Sequence, residues 1–200
     1  MILMSFLPSN AKENIGDLIN EHKLNLIVVS ERKTKRGDFR VYCNGSKKIT
    51  LNKDSNKFRF LITLLHEVSH QLVFEAFGNK VSPHGIEWKK IFKEISKPFL
   101  LESIFPLSIL DAFKVYLKNP KSSTDLDLEL SISLSKFDTS SDYFYIDKLE
   151  MGQFFLYKKK DIFKKISKKR KRYVCEKVSN GKLYLFQPNT LVLDYNNEKR

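Results

Sequence analysis

Residues 61–71 read LITLLHEVSHQ, with two histidines four apart and a glutamate directly after the first. Leu61, Leu64, Leu65, Val68 and Leu72 recur at helical spacing, which predicts an amphipathic helix with an apolar stripe for the core. On that helix His66 and His70 lie one turn apart, so their imidazoles can converge on one metal ion. Glu67 falls on the neighbouring edge, where a carboxylate that is not itself a ligand can take a proton from a metal-bound water. Zinc suits the pattern because it lowers the pKa of such a water from about 15.7 to about 7. Taken alone, the five residues His66 to His70 fit an ordinary helix with two incidental histidines equally well.

The flanks delimit the helix. Asp54 or Ser55 is the expected N-cap and Gly78 the expected stop. Upstream, a first helix opens near Ser9 or Asn10 and runs to about Glu21, and LNLIVVSE (24–31) is a β-rich run. TKRGDFRVYCNGSKKITLN reads as a hairpin turning at Asn44-Gly45. Downstream, Pro83-His84-Gly85 is a turn, and IEWKKIFKEISK (86–97) is a second amphipathic helix stopped by Pro98.

Catalytic zinc takes three protein ligands and keeps one position open. The chain holds four histidines, and His84 follows His70 by 14 residues, past the glycine that ends the helix. A helix followed by a turn lets the chain fold back and present His84 to the same ion. His22, near the end of the first helix, is expected to face solvent.

FRFLITLLHEVSHQLVFEAFGNKVSPHGIEWKKIF resembles the core of the SprT-like metalloproteases: an HExxH helix, a spacer, then HGxxW opening another helix. RKTKRGDFR (32–40) and KKITLN resemble the family's upstream hairpin. The resemblance covers roughly residues 8–118. It implies an α+β fold, a zincin-like SprT core of helices packed on a small β-sheet. It also implies one catalytic Zn2+ held by His66, His70 and His84, with Glu67 as general base and a protein or peptide as substrate. Trp88 is then a packing residue that anchors the second helix.

Composition bounds the rest. Two hundred residues with 42% hydrophobic content can build a core, and no stretch is long and apolar enough to span a membrane. MILMSFLPSN lacks a basic n-region and a cleavage site, so no signal peptide is expected and a cytoplasmic protein is. Cys43 and Cys175 form no CxxC pair, which excludes the cysteine zinc ribbon that ends many SprT-like proteins. Both cysteines are expected in buried strands.

Residues 119–147 shift to Ser, Asp and Leu and read as a linker. Leu126, Leu128, Leu130, Ile132 and Leu134 alternate as in a strand, while Thr124-Asp125 equally caps a short helix. Residues 148–197 then read as a small β-barrel-like module with a hairpin at Asn180-Gly181.

Of the net charge of +13, +10 lies in residues 151–200. Ten of the fifteen residues from Lys158 to Arg172 are basic: Lys158, Lys159, Lys160, Lys164, Lys165, Lys168, Lys169, Arg170, Lys171 and Arg172. Such density suits contact with DNA or RNA phosphates, and Tyr157, Tyr173 and Tyr184 are candidates for stacking on bases. A solvated basic face or a patch for anionic lipid has the same composition. Two whole-protein readings follow: a zinc endopeptidase, or a DNA/RNA-binding protein whose zinc site is structural or silent. Three ligands and a base would also serve a metal hydrolase that cuts no peptide. Arg36, Arg40 and Tyr42 are candidates for steadying an oxyanion.

Overall fold

The computed structural model describes residues 2–32, 34–138, 143–158 and 160–195. The chain divides into two compact units, Met1–Asp138 and Thr139–Arg200.

The first unit is α+β. After 3-10 turns at Ile2–Phe6 and Ser9–Ala11 come α1 (Lys12–Glu21), β1 (Leu26–Val29), β2 (Gly37–Val41) and β3 (Lys47–Asn52). These are followed by α2 (Lys57–Phe77), α3 (Ile86–Ser96), α4 (Leu107–Tyr116) and α5 (Leu128–Ser135). The sheet order is β1-β3-β2, with β1 parallel and β2 antiparallel to β3. The β2–β3 hairpin turns where expected, and Gly45 adopts φ 79°, a conformation that favours glycine.

Helix α2 is the spine of this unit. Its first half is apolar on almost every side, with Phe60, Leu61, Ile62, Leu64, Leu65 and Val68 all buried. A helix of that kind belongs inside a domain rather than on it. Ile49 and Leu51 of β3 meet it from the sheet side, and Trp88 and Phe92 of α3 belong to the same core. The cap is Asn56 rather than Asp54 or Ser55: its side chain accepts from the backbone N–H groups of Phe58 and Arg59. Asp54 instead accepts from the Asn56 N–H, setting up the turn that precedes the cap. Gly78 ends the helix with φ 62°, as expected.

Residues 119–138 are folded onto this unit. The Leu126–Leu134 alternation resolves as a helix, because Asp127 caps it at the Leu130 N–H and Leu130 and Leu134 enter the core. The Asn56 side-chain amide donates to the Leu134 carbonyl, tying α5 to the start of α2.

The second unit is antiparallel: β4 (Tyr143–Tyr145), β5 (Phe154–Tyr157), β6 (Asp161–Lys169), β7 (Arg172–Lys177), β8 (Leu183–Phe186) and β9 (Leu191–Asp194). Its order is β4-β9-β5-β6-β7-β8, an open sheet. The expected barrel-like closure is therefore corrected, because a barrel needs the terminal strands to pair and β4 and β8 remain its two edges. Ile146, Phe155, Phe163, Cys175, Phe186 and Val192 fill its core. Gly181, at φ 68°, turns β7 into β8. Among the described residues no helix is long and apolar enough to cross a membrane.

Candidate metal centre

Helix α2 presents His66 and His70 from successive turns, and the turn before α3 brings in His84. The His70 Nε2 lies 3.1 Å from the Nε2 atoms of both His66 and His84, and the latter two are 3.2 Å apart. Three imidazole nitrogens facing one another at this spacing would set lone pair against lone pair. A shared cation turns that repulsion into attraction, and among the described residues this trio is the cluster able to hold a metal ion.

Trp88 is fully buried and forms the floor. Its ring centroid lies 4.7 Å from that of His66, 5.5 Å from His70 and 4.8 Å from His84. Phe92 stacks on the Trp88 ring at 4.9 Å and also meets His66 at 6.0 Å. The packing role expected for Trp88 is thus what the geometry shows, with the imidazoles as its partners.

Burial keeps these imidazoles neutral. Loss of water, then the neighbouring rings, holds His66 down at about 3 and His70 at about 4, and burial lowers His84 as well. Neutral nitrogens are the form that binds metal. His22, expected in solvent, is half-buried beside Glu21.

Glu67 is 7% exposed, and its carboxyl is pushed up to about 8. Burial is the main cause, followed by the charge of Asp38; the Phe39 backbone N–H, Arg32 and Lys35 oppose the rise. The Phe39 N–H donates to the Glu67 carboxylate, so the edge strand β2 holds the acid in place. Gly37 approaches the same side chain so closely that a Cβ there would lie 2.6 Å from both Cγ and Oε1 of Glu67. In the sequence Gly37 and Phe39 read only as hairpin residues. The one signal for the contact was a glycine opening a strand, which often marks close approach.

A cleft of about 450 Å³ opens beside His66 and Glu67, lined also by Thr63, Arg36, Asp54 and Asp125. Arg36 therefore shares the cleft with His66 and Glu67, but it is engaged by Asp54 at 3.6 Å and Asp125 at 3.1 Å. Arg40 is exposed and pairs with Asp38, and Tyr42 stands at the end of β2, outside this cleft. Buried Arg59 joins the same acids, 3.8 Å from Asp54, 3.6 Å from Asp125 and 2.7 Å from Asp138.

In the second unit the basic run splits. Lys158, Lys160, Lys168, Lys169, Arg170, Lys171 and Arg172 are exposed, the last five around the β6–β7 turn. Lys164 is half-buried with its Nζ 5.5 Å over the Phe154 ring. Lys165 is buried: its Nζ donates to the Ile146 and Leu149 carbonyls and sits 3.7 Å from the Tyr173 ring centroid. It cannot reach a phosphate. Lys159 lies outside the described residues. Tyr173 is buried with its hydroxyl on Asp147, Tyr157 packs on Phe163 and Phe186, and Tyr184 is exposed. Cys175 is buried as expected, whereas Cys43 is exposed in the hairpin turn.

No curated protein and no solved structure matches the chain. The sequence model of the SprT-like family matches residues 12–109, a span that contains α2, the three histidines and Trp88. The chain carries an SprT-like family domain, and that family implies a metallopeptidase.

Proposed function

We propose that the chain is a zinc-dependent endopeptidase whose metal is held by His66, His70 and His84 and whose general base is Glu67. The observation that carries the reading is the meeting of three neutral imidazole nitrogens beside a buried carboxyl within an SprT-like domain. An all-nitrogen set of three suits zinc, and tetrahedral bonds of about 2.0–2.1 Å would space the nitrogens about 3.3 Å apart. The 3.1–3.2 Å seen here fits that spacing.

Bound there, zinc would lower the pKa of a coordinated water to about 7 and polarise the peptide carbonyl. Glu67 supplies the proton chemistry. Its carboxylate takes the proton of the attacking water and gives it to the leaving amine. The Phe39 N–H keeps the carboxylate aimed, and burial makes the proton easy to hold near neutral pH. Trp88 holds the three imidazoles in register from below. In this reading residues 8–118 are the catalytic part and 148–197 an appended module.

The test is Glu67→Gln beside the wild type, both loaded with zinc. Retained metal with loss of casein cleavage supports the assignment, and unchanged cleavage removes Glu67 from the mechanism.

A second reading concerns the appended module. The exposed cations gathered at the β6–β7 turn suit nucleic-acid phosphates, which would direct the protease to nucleic-acid-associated proteins. Charge reversal at Lys169, Arg170 and Lys171 should then abolish salt-dependent binding to a DNA or RNA oligonucleotide. Equal affinity after the reversal would overturn this reading.

A further inference from the structure

Phe39 has two jobs. Its backbone N–H holds Glu67, while its ring lies 6.1 Å from that of Phe74. Phe74 follows His70 by four residues on α2, so His66, His70 and Phe74 form one stripe of that helix. Past the metal centre this stripe enters a hollow of about 480 Å³, lined by Phe39, Val41, Tyr42, Cys43, Phe74 and Asn79. Val41 and Tyr42 are 39% and 41% exposed, and β2 is an edge of its sheet.

The hollow differs in chemistry from the cleft that His66 and Glu67 line. That cleft is lined by charged groups such as Arg36, Asp54 and Asp125. Among the described residues no charged side chain lines the hollow; nearby, Lys48 stands 5.2 Å over the Tyr42 ring and Glu75 is paired with Lys47. Apolar and aromatic groups left open to solvent beside a reactive centre favour a matching side chain that arrives with the substrate. An occupant of the hollow would lie against Phe39, the residue whose backbone meets Glu67. That continuity favours the polypeptide being cut over a separate partner.

We propose that the hollow is a substrate subsite, receiving a large apolar or aromatic side chain at one fixed position beside the scissile bond. The inference rests on the metallopeptidase reading above and adds the class of residue selected. Val41, Phe74 and the Phe39 ring determine the specificity, with Tyr42 forming the outer rim.

The experiment maps cleavage sites in a mixture of peptides with the zinc-loaded full chain, using mass spectrometry of the products. One position is expected to show a preference of about tenfold or more for Phe, Tyr, Leu or Met over Asp or Gly. Val41→Asp should erase that preference by raising KM for the aromatic peptides while preferences at other positions persist. N-ethylmaleimide at the exposed Cys43 should fill the same space and have the same effect on the wild type. A preference that is absent, or unchanged both in Val41→Asp and after alkylation, overturns the subsite.

If the wild type cuts no peptide, the metallopeptidase reading fails and binding decides the subsite. A fluorescent Gly-Ser peptide with one central Phe should then bind the full chain more tightly than its Phe→Asp counterpart. Loss of that difference in Val41→Asp keeps the subsite, and equal anisotropy for the two peptides on the wild type removes it.

Discussion

Gly37 and Glu67 lie in contact across 30 residues of sequence, with no room for a side chain between them. A Cβ at residue 37 would stand 2.6 Å from the Glu67 Oε1 and 2.9 Å from its Cδ, distances that real carbon atoms do not adopt. Glu67 lies inside α2, one of the best-buried elements of the unit, so the carboxylate must give way or β2 must shift. Gly37→Ala is therefore expected to lower kcat about 100-fold, since a 1 Å misplacement at a reactive centre can cost that much. Zinc content should change little. A variant with full activity would show that Glu67 need not sit where β2 holds it.

Trp88 is the chain's one tryptophan, and all three candidate ligands pack on it. Its fluorescence is thus a local reporter. Titrating metal-free protein with zinc should change the emission and reach an end point at one ion per chain. A signal that zinc does not alter would place the ion elsewhere. Trp88→Ala should cost about 3–5 kcal/mol of stability and weaken zinc binding together, because the cavity lies beneath the ligands.

Arg59 gathers Asp54, Asp125 and Asp138 while itself 3% exposed. Arg59→Met takes the cation from Asp138, while Arg36 still pairs with Asp54 and Asp125. The expected loss is about 2–4 kcal/mol, less than for a fully buried pair because Asp125 and Asp138 reach solvent. Urea unfolding followed by circular dichroism reads it directly. The variant should also gain protease-sensitive sites within residues 121–138, the segment that the acids anchor beside the cleft. No change in either measurement would mean that packing alone holds this segment.

Burial, partly offset by Lys165, pushes the Cys175 thiol up to about 11 from its ordinary 9.0. Its folded value lies above its unfolded one. The stability it contributes is therefore complete below pH 9 and is lost as pH rises toward 11. Lys165, lowered mainly by burial, shifts the opposite way, so the difference between wild type and Cys175→Ala is what isolates the thiol. That difference in melting temperature should narrow between pH 9 and 11. At pH 8 a thiol reagent should modify Cys43 in the native protein and reach Cys175 only on unfolding.

How far the chain could be read without its fold depends on the range of the interaction. Helix α2 and its stop at Gly78, the Asn44-Gly45 hairpin and the three histidines are local patterns, and each is present as read. The cap moved to Asn56 because three adjacent residues, Asp54, Ser55 and Asn56, can all serve, and only the turn Asp54 makes decides among them. The Leu126–Leu134 alternation was ambiguous because a period of two contains the i, i+4 spacing of Leu130 and Leu134. Core contact selected the helix. Lys165 hid in a basic run, and its inward position on β6, opposite Cys175, follows from strand register.

By itself the sequence marked the candidate ligand trio, the candidate base beside it and the SprT-like domain, because histidines on one face of a helix are written in spacing that the helical repeat reads out. Only the tertiary structure decided what surrounds them. Gly37 and Phe39 on Glu67, Trp88 under three imidazoles, Arg59 among three acids and the open edge of the second sheet all join residues distant in sequence. Such contacts depend on how elements pack and on which strands pair, and neither leaves a periodic mark in the chain.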